Sequence, residues 1–141
     1  MTEAVAAVAT AALQTYAAGS LAAFMDLLTD DVEYALYIDQ ADLPFAGETR
    51  GKEALRERIA QMHASFDYVL FRPLAVRVVD ATTTHNQVEF MYRHKATGEM
   101  LSGRFRLVLT VEGGRVQRIE EYHDVARVKA FLRLVGGVQP D

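Results

Sequence analysis

One short run of the chain, RIEEYHD at residues 118–124, holds three carboxylates, a histidine and a tyrosine. Side chains alternate along an extended strand, so Glu121 and His123 share a face with Ile119, while Glu120, Tyr122 and Asp124 share the other. Groups two residues apart lie roughly 6.5–7 Å from each other, enough for a water or a small reacting group between them. If the Ile119 face points inward, Glu121 sits in apolar surroundings. Loss of hydration there favours the protonated acid and suits the carboxyl to take or give a proton near neutrality. His123 is its natural partner. The alternatives are a solvated strand glutamate, an ion pair of Glu121 with Arg118 or Arg115, and a histidine hydrogen-bonded at the sheet's rim.

The other groups able to do chemistry are scattered. Tyr16 and Tyr34 face the core by their spacing, and Tyr92 joins them. Each either touches a ligand or simply packs, its hydroxyl satisfied by backbone or water. His63, four residues after Ile59, either looks into the interior from a helix or caps that helix's C-terminal end. Asp39 stands in a long loop, where function concentrates, although loop aspartates are also turn formers. His85 and His94 lie at or near turns and read as surface residues. The four histidines show no HxH or HxxxH spacing, and there is no cysteine, so neither a metal site nor thiolate chemistry is expected. P-loop, GxGxxG, HExxH and CxxC motifs are absent and no cofactor is implied.

These groups must be positioned by one domain, because 141 residues fit a single core spanning residues 1–141. Val5, Val8, Ala12 and Tyr16 recur at helical spacing, which predicts a helix over about residues 3–18. Gly19 ends it and Ser20 can cap a second helix, with Leu21, Phe24, Met25 and Leu28 as its apolar stripe. Thr29-Asp30-Asp31 is read as the end of that helix, and VEYALYI as a short strand. The loop DQADLPFAGETRG follows, its Pro44 and glycines arguing against regular structure. A third helix begins near Lys52, with Leu55, Ile59, Met62 and Phe66 on its buried side.

The period then changes from 3.6 to 2. Residues 67–80, 86–96, 99–112 and 115–124 read as strands, with turns at Thr97-Gly98 and Gly113-Gly114. Pro73 marks a bulge or an outer edge. Asp124 can cap a short C-terminal helix with Val125, Val128, Leu132 and Val135 inward. Helices first and a meander of strands afterwards are the α+β pattern. A two-residue turn at Thr97-Gly98 places Phe90 opposite Phe105, Tyr92 opposite Gly103 and Val88 opposite Leu107. Glu89 then meets Arg106, and Met91 lies beside Arg104, on the other face. Phe90, Tyr92, Phe105, Leu107 and Leu109 therefore look toward the helices. Val116 is out of phase with Ile119, which predicts a twist or bulge between them.

Bulk properties narrow the function classes. The net charge of -4 offers no basic excess for nucleic acid. No apolar run approaches the ~20 residues of a membrane span. The alanine-rich first helix has no basic leader and is not read as a signal peptide. Together these point to a cytoplasmic protein.

The two N-terminal helices, LLTDDVEY, PFAGETRGKEAL, the hairpin ending in GGRV, and EEYHD give the chain a resemblance to the nuclear transport factor 2-like superfamily. That group includes SnoaL-like polyketide cyclases, ketosteroid isomerases and limonene epoxide hydrolases. The resemblance covers nearly the whole chain and implies a cone-shaped roll: a curved antiparallel sheet on three N-terminal helices, a short C-terminal helix, and an apolar pocket at the open end. It implies pocket positions at Leu36, Asp39, His63, Phe90, Tyr92, Phe105, Leu107 and Ile119. Tyr16 matches the oxyanion-hole tyrosine of the isomerases, whose general base falls at Leu36 and whose second oxyanion acid falls near Phe105 or Arg106. Tyr34 and Glu121 match a pocket tyrosine and a last-strand aspartate of the epoxide hydrolases, whose Arg-and-Asp pair falls at Val88 and Phe90. The resemblance also implies a homodimer through the outer face of the sheet, where Met91, Val108 and Tyr122 lie amid arginines.

The expected function is binding of a small apolar molecule, with isomerisation, cyclisation, dehydration or epoxide opening through Glu121, His123, Tyr34 and Tyr16. The alternative is a non-catalytic ligand-binding or dimerisation module of the same fold.

Overall fold

The computed structural model describes residues 2–43 and 46–136. Helices α1 (Thr2–Ala17) and α2 (Leu21–Asp26) lead into strand β1 (Leu28–Leu36). Strand β2 (Gly47–Arg50) and helix α3 (Lys52–Ser65) follow. Then come β3 (Phe66–Val78), β4 (Thr83–His94), β5 (Met100–Glu112), β6 (Arg115–Tyr122) and helix α4 (Val125–Leu134). The six strands form one curved, open sheet in the order β2-β1-β6-β5-β4-β3. The α+β architecture is the expected one, but the sheet is mixed, because β1 runs parallel to β6 while every other neighbour is antiparallel.

Several sequence expectations shift. Thr29-Asp30-Asp31 does not close α2. It lies within β1, which already begins at Leu28. The acidic pair reads as a helix end, but the parallel pairing of Leu28 with Val116 extends the strand through it. The long loop holds a short strand, β2, whose backbone pairs with β1 from Glu33↔Arg50 to Leu36↔Gly47. An edge strand of four residues needs only a neighbour's free ladder, which composition does not reveal. Pro44 falls outside the described residues.

The β4–β5 register differs from the expected one by two residues. Phe90 faces Gly103, Val88 faces Phe105 and Tyr92 faces Leu101, while Glu89 faces Arg104 and Met91 faces Ser102. The turn is longer than two residues: the His94 amide donates to the Glu99 carbonyl at 2.8 Å and the Gly98 amide to the His94 carbonyl at 2.7 Å. A slip of two leaves every side chain on its face, so Phe90, Tyr92, Phe105, Leu107 and Leu109 are inward and buried as expected. Pro73 proves both alternatives, lying on the edge strand β3 at a register shift between Pro73 and Ala75. The irregularity expected before Ile119 sits where Thr110/Val111 meet β6.

Leu28, Val32, Leu55, Val88, Leu109 and Val116 are almost completely buried where the inner face of the sheet meets the helices. His94 is also buried, not at the surface: Thr97 Oγ1 lies 2.9 Å from its Nδ1, and its ring packs edge-on against Phe66. On α4, Val128, Phe131 and Leu132 are buried while Val125 is exposed. Asp124 caps that helix, accepting from the Arg127 amide at 3.2 Å. The outer face of the sheet is charged: Arg118 lies 3.2, 3.0 and 3.5 Å from Glu33, Glu48 and Glu120, and Arg72 pairs with Glu89.

Candidate functional site

Between the inner face of the sheet and helices α1, α3 and α4 lies a cavity of about 90 Å³ that opens to the surface. Its wall is mostly aliphatic and aromatic. The polar groups that reach it are Glu121, His123, Arg58 and the tyrosines Tyr16, Tyr34, Tyr68 and Tyr92.

Glu121 is the centre of this group. It is the inward residue of β6 two places after Ile119, as strand alternation requires. Its side chain retains 20% exposure and each of its oxygens has a partner. The Tyr34 hydroxyl donates to Oε1 at 2.6 Å. His123 Nε2 lies 2.8 Å from Oε2, its Nε2–H donating to the carboxylate. The pairing of β1 with β6, Tyr34 against Ile119 and Leu36 against Glu121, brings Tyr34 across from a residue 87 positions later. His123 follows the last residue of β6, and its ring is fixed by stacking on Phe105 (centroids 4.5 Å apart, planes at 18°) with Phe90 edge-on at 5.5 Å.

A second polar pair lines the cavity. The Tyr16 and Tyr68 hydroxyls are 2.9 Å apart, and either can donate. Tyr68 stacks on Tyr92 (4.2 Å, 20°), and Tyr16 packs edge-on against Phe24 and Phe71. Arg58 comes from α3. It donates from Nη1 to the Gly47 carbonyl at 2.8 Å and from Nη2 to the Ala46 carbonyl at 3.1 Å, with its guanidinium 5.4 Å from the centre of the Tyr34 ring.

Burial pushes the hydroxyls of Tyr16, Tyr34, Tyr68 and Tyr92 above the ordinary tyrosine range, and the charge of Glu121 adds to this at each of them. Burial also lowers Arg58, opposed by its attraction to Tyr34 and Glu121. A raised folded-state pKa means that the native protein holds these four protons more tightly than the unfolded chain does. Their contribution to stability is complete below the unfolded value near ~10 and is lost as pH rises through the folded values. An alkaline titration is therefore expected to show these four of the six tyrosines ionising together with unfolding, when tyrosinate absorbance and circular dichroism are followed in parallel. Smooth ionisation of all six around pH ~10 with the fold intact would contradict this burial.

Of the residues singled out in the sequence, the structure brings Glu121, His123, Tyr34, Tyr16, Phe90, Tyr92, Phe105, Leu107 and Ile119 to the cavity. Three expected positions are elsewhere. Leu36 is buried in the core but does not line the cavity. Asp39 is exposed and shapes its own loop, accepting from the Ala41 amide at 2.9 Å. His63 lies on the exposed side of α3, its ring centroid 4.4 Å from that of Tyr68 with the planes tilted by 32°; it falls one position past the stripe that Leu55, Ile59 and Met62 define.

Arg58 and Tyr68 were not anticipated. Arg58 is three residues after Leu55 and four before Met62, so helical spacing already places it on the buried stripe; its charge argues against that reading. Tyr68 follows Phe66 in strand alternation. The register shift between Tyr68 and Leu70 then returns Phe71 to the same side, and a bulge of that kind has no signature in composition.

Among the described residues no cluster of histidine and acidic side chains is placed to hold a metal ion, and no helix is long and apolar enough to cross a membrane.

Comparison with known proteins identifies the family and the fold. The SnoaL-like domain family matches residues 9–119. A search of curated proteins finds no match. Among solved structures, an NTF2-like protein from Burkholderia thailandensis superposes with a TM-score of 0.78 at 18% identity, covering 96% of this chain and 97% of its own. A candidate isomerase from Rhodopseudomonas palustris gives 0.72 at 18% identity, covering 91% and 93%. A candidate SnoaL-like polyketide cyclase from Mesorhizobium loti gives 0.70 at 19% identity, covering 84% and 98%. At such identities the likeness is one of fold.

Proposed function

The chain belongs to the SnoaL-like domain family, and from that premise we propose that it binds a small, largely apolar molecule in the cavity and acts on it by general acid–base chemistry centred on Glu121. The observation that carries this reading is the placement of Glu121: an inward carboxylate in an apolar cavity, held at both oxygens by different side chains. Glu121 takes a proton from the substrate or returns one. His123 and Tyr34 fix its orientation and answer its change of charge. The Tyr16–Tyr68 pair in the cavity wall supplies a hydroxyl to an oxygen on which negative charge develops. Isomerisation, cyclisation, dehydration and epoxide opening all fit this division of labour, and the candidate isomerase and polyketide cyclase among the structural relatives are in keeping with it.

One observation favours a second reading, a ligand-binding module without catalysis. Both oxygens of Glu121 already accept from the protein, so a substrate must share or displace a partner. Binding itself is tested by native mass spectrometry of the protein titrated with cyclopentanone. One bound molecule is expected for the wild type and none for Leu107→Trp, which fills the cavity. Equal occupancy of the two would remove the cavity as the ligand site.

The homodimer through the outer face of the sheet belongs to the same proposal. Tyr37 and Tyr122 lie there with ring centroids 4.8 Å apart and planes tilted by 30°, yet remain 41% and 42% exposed, on the sheet face that also carries Val108 and Met91. Exposed aromatics amid paired charges suit the centre of an interface better than bare solvent. Light scattering at high micromolar concentration is expected to return twice the chain's 15.7 kDa. A monomer there contradicts the dimer.

A further inference from the structure

Arg58 stands out among the groups that line the cavity. It is 7% exposed, and among the described residues no carboxylate oxygen lies within 4.0 Å of it. A guanidinium cannot shed its charge to suit an apolar setting, as a lysine or histidine can. Burying such an ion without a counter-ion is costly unless its donors are satisfied and its charge is answered. Two of its five N–H groups are used on the Ala46 and Gly47 carbonyls. The Tyr34 ring answers part of the charge through its face. Among the described residues its Nε has no partner. Glu121 attracts it, but across the cavity wall and not in an ion pair.

The fold thus holds a cation, with donors unused among the described residues, at the wall of a mostly aliphatic and aromatic cavity that it shares with Glu121, His123 and four tyrosines. We infer that the cavity is made for a small organic acid, its apolar body against the aliphatic and aromatic wall and its carboxylate held by Arg58. A planar guanidinium matches a carboxylate better than any other side chain does. The opposing charge is Glu121, already engaged by Tyr34 and His123, so the ligand's carboxylate is placed on the Arg58 side of the cavity and its reacting carbon toward Glu121. This inference adds a ligand class to the function proposed above and rests on it for the cavity being a ligand site.

A structural role for Arg58, tethering the Ala46–Gly47 backbone to α3, makes a different prediction, since it would affect all ligands alike. Ligand-observed NMR of the full chain with cyclopentanecarboxylate and with its neutral isostere cyclopentanecarboxamide separates the two roles. The wild type is expected to bind the acid about tenfold or more tightly than the amide, the size of a charge-assisted contact. Arg58→Gln should bring the two ligands level, with the acid losing far more affinity than the amide. Arg58→Lys keeps the charge without the fork and should retain part of the preference; it serves as the readout if Arg58→Gln does not fold. Glu121→Gln removes a repelling carboxylate and should raise the acid's affinity. Equal binding of acid and amide by the wild type, or a preference undiminished in Arg58→Gln, overturns the inference. If the amide binds and the acid does not, only the ligand class falls. If neither binds, and cyclopentanone does not either, the cavity's role as a ligand site falls with it.

Discussion

Leu28→Ala is expected to lower the stability of the fold by about 2–5 kcal/mol, the usual loss for a fully buried leucine cut to alanine. Leu28 is completely buried at the start of β1, in the main hydrophobic cluster and away from the cavity. Its backbone is held to β6. Leu28 pairs with Val116 in the parallel ladder, and the Val116 amide donates to the Leu27 carbonyl at 2.8 Å. A wall fixed in this way relaxes little around a void, so the cavity term is added to the lost transfer energy. For a chain of this length the melting temperature should fall by roughly 6–15 °C. The denaturation midpoint should fall with an unchanged m-value, because the surface exposed on unfolding is nearly the same. A shift of less than about 2 °C would mean that Leu28 is not packed as described.

Which parts of this arrangement could be read from the sequence follows from which interactions are local. The helices α1 and α3 announced themselves through apolar spacing, and α1 also through its stop at Gly19, because an amphipathic helix writes its buried stripe into consecutive turns; the end of α3 did not, since Phe66, expected on its buried side, opens β3. Strand alternation placed Glu121, Phe90, Tyr92 and Phe105 on the inner face, and it survived a two-residue error in register because the period is two. What depended on distant neighbours was not legible. The strand β2 exists only because β1 offers it an edge. The burial of His94 follows from a turn longer than the Thr97-Gly98 dipeptide suggests. The contribution of Tyr68 and Phe71 to one wall depends on a bulge in β3.

The site shows the same division. The nearness of Glu121 to His123 is a property of one strand end and was legible. The bond from Tyr34 to Glu121 needed the parallel pairing of β1 with β6, which the segregated order of helices and strands does not imply. Arg58 illustrates a bias in reasoning from burial: its position on the stripe was visible, but charged residues are seldom expected inside.

Glu121→Gln should have the largest effect on chemistry. Glutamine keeps the length and planar shape of the side chain and can still accept from Tyr34, so the fold and the cavity should persist. What it lacks is the basic carboxylate. A positioned general base contributes about 10²- to 10⁴-fold to the rate of a proton transfer, and a loss on that scale is expected. The tyrosines cannot replace it: Tyr34 and Tyr16 hold their protons more tightly than ordinary tyrosines and stay protonated near neutrality. The role of Glu121 is tested most directly by deuterium exchange at the α-carbon of cyclopentanone, followed by NMR in heavy water for the wild type and Glu121→Gln, with matched melting curves as the control for folding. The wild type should exchange the α-protons well above the buffer rate and Glu121→Gln should fall to about that rate. Equal acceleration by the two proteins, or none by the wild type, would contradict an acid–base role for Glu121.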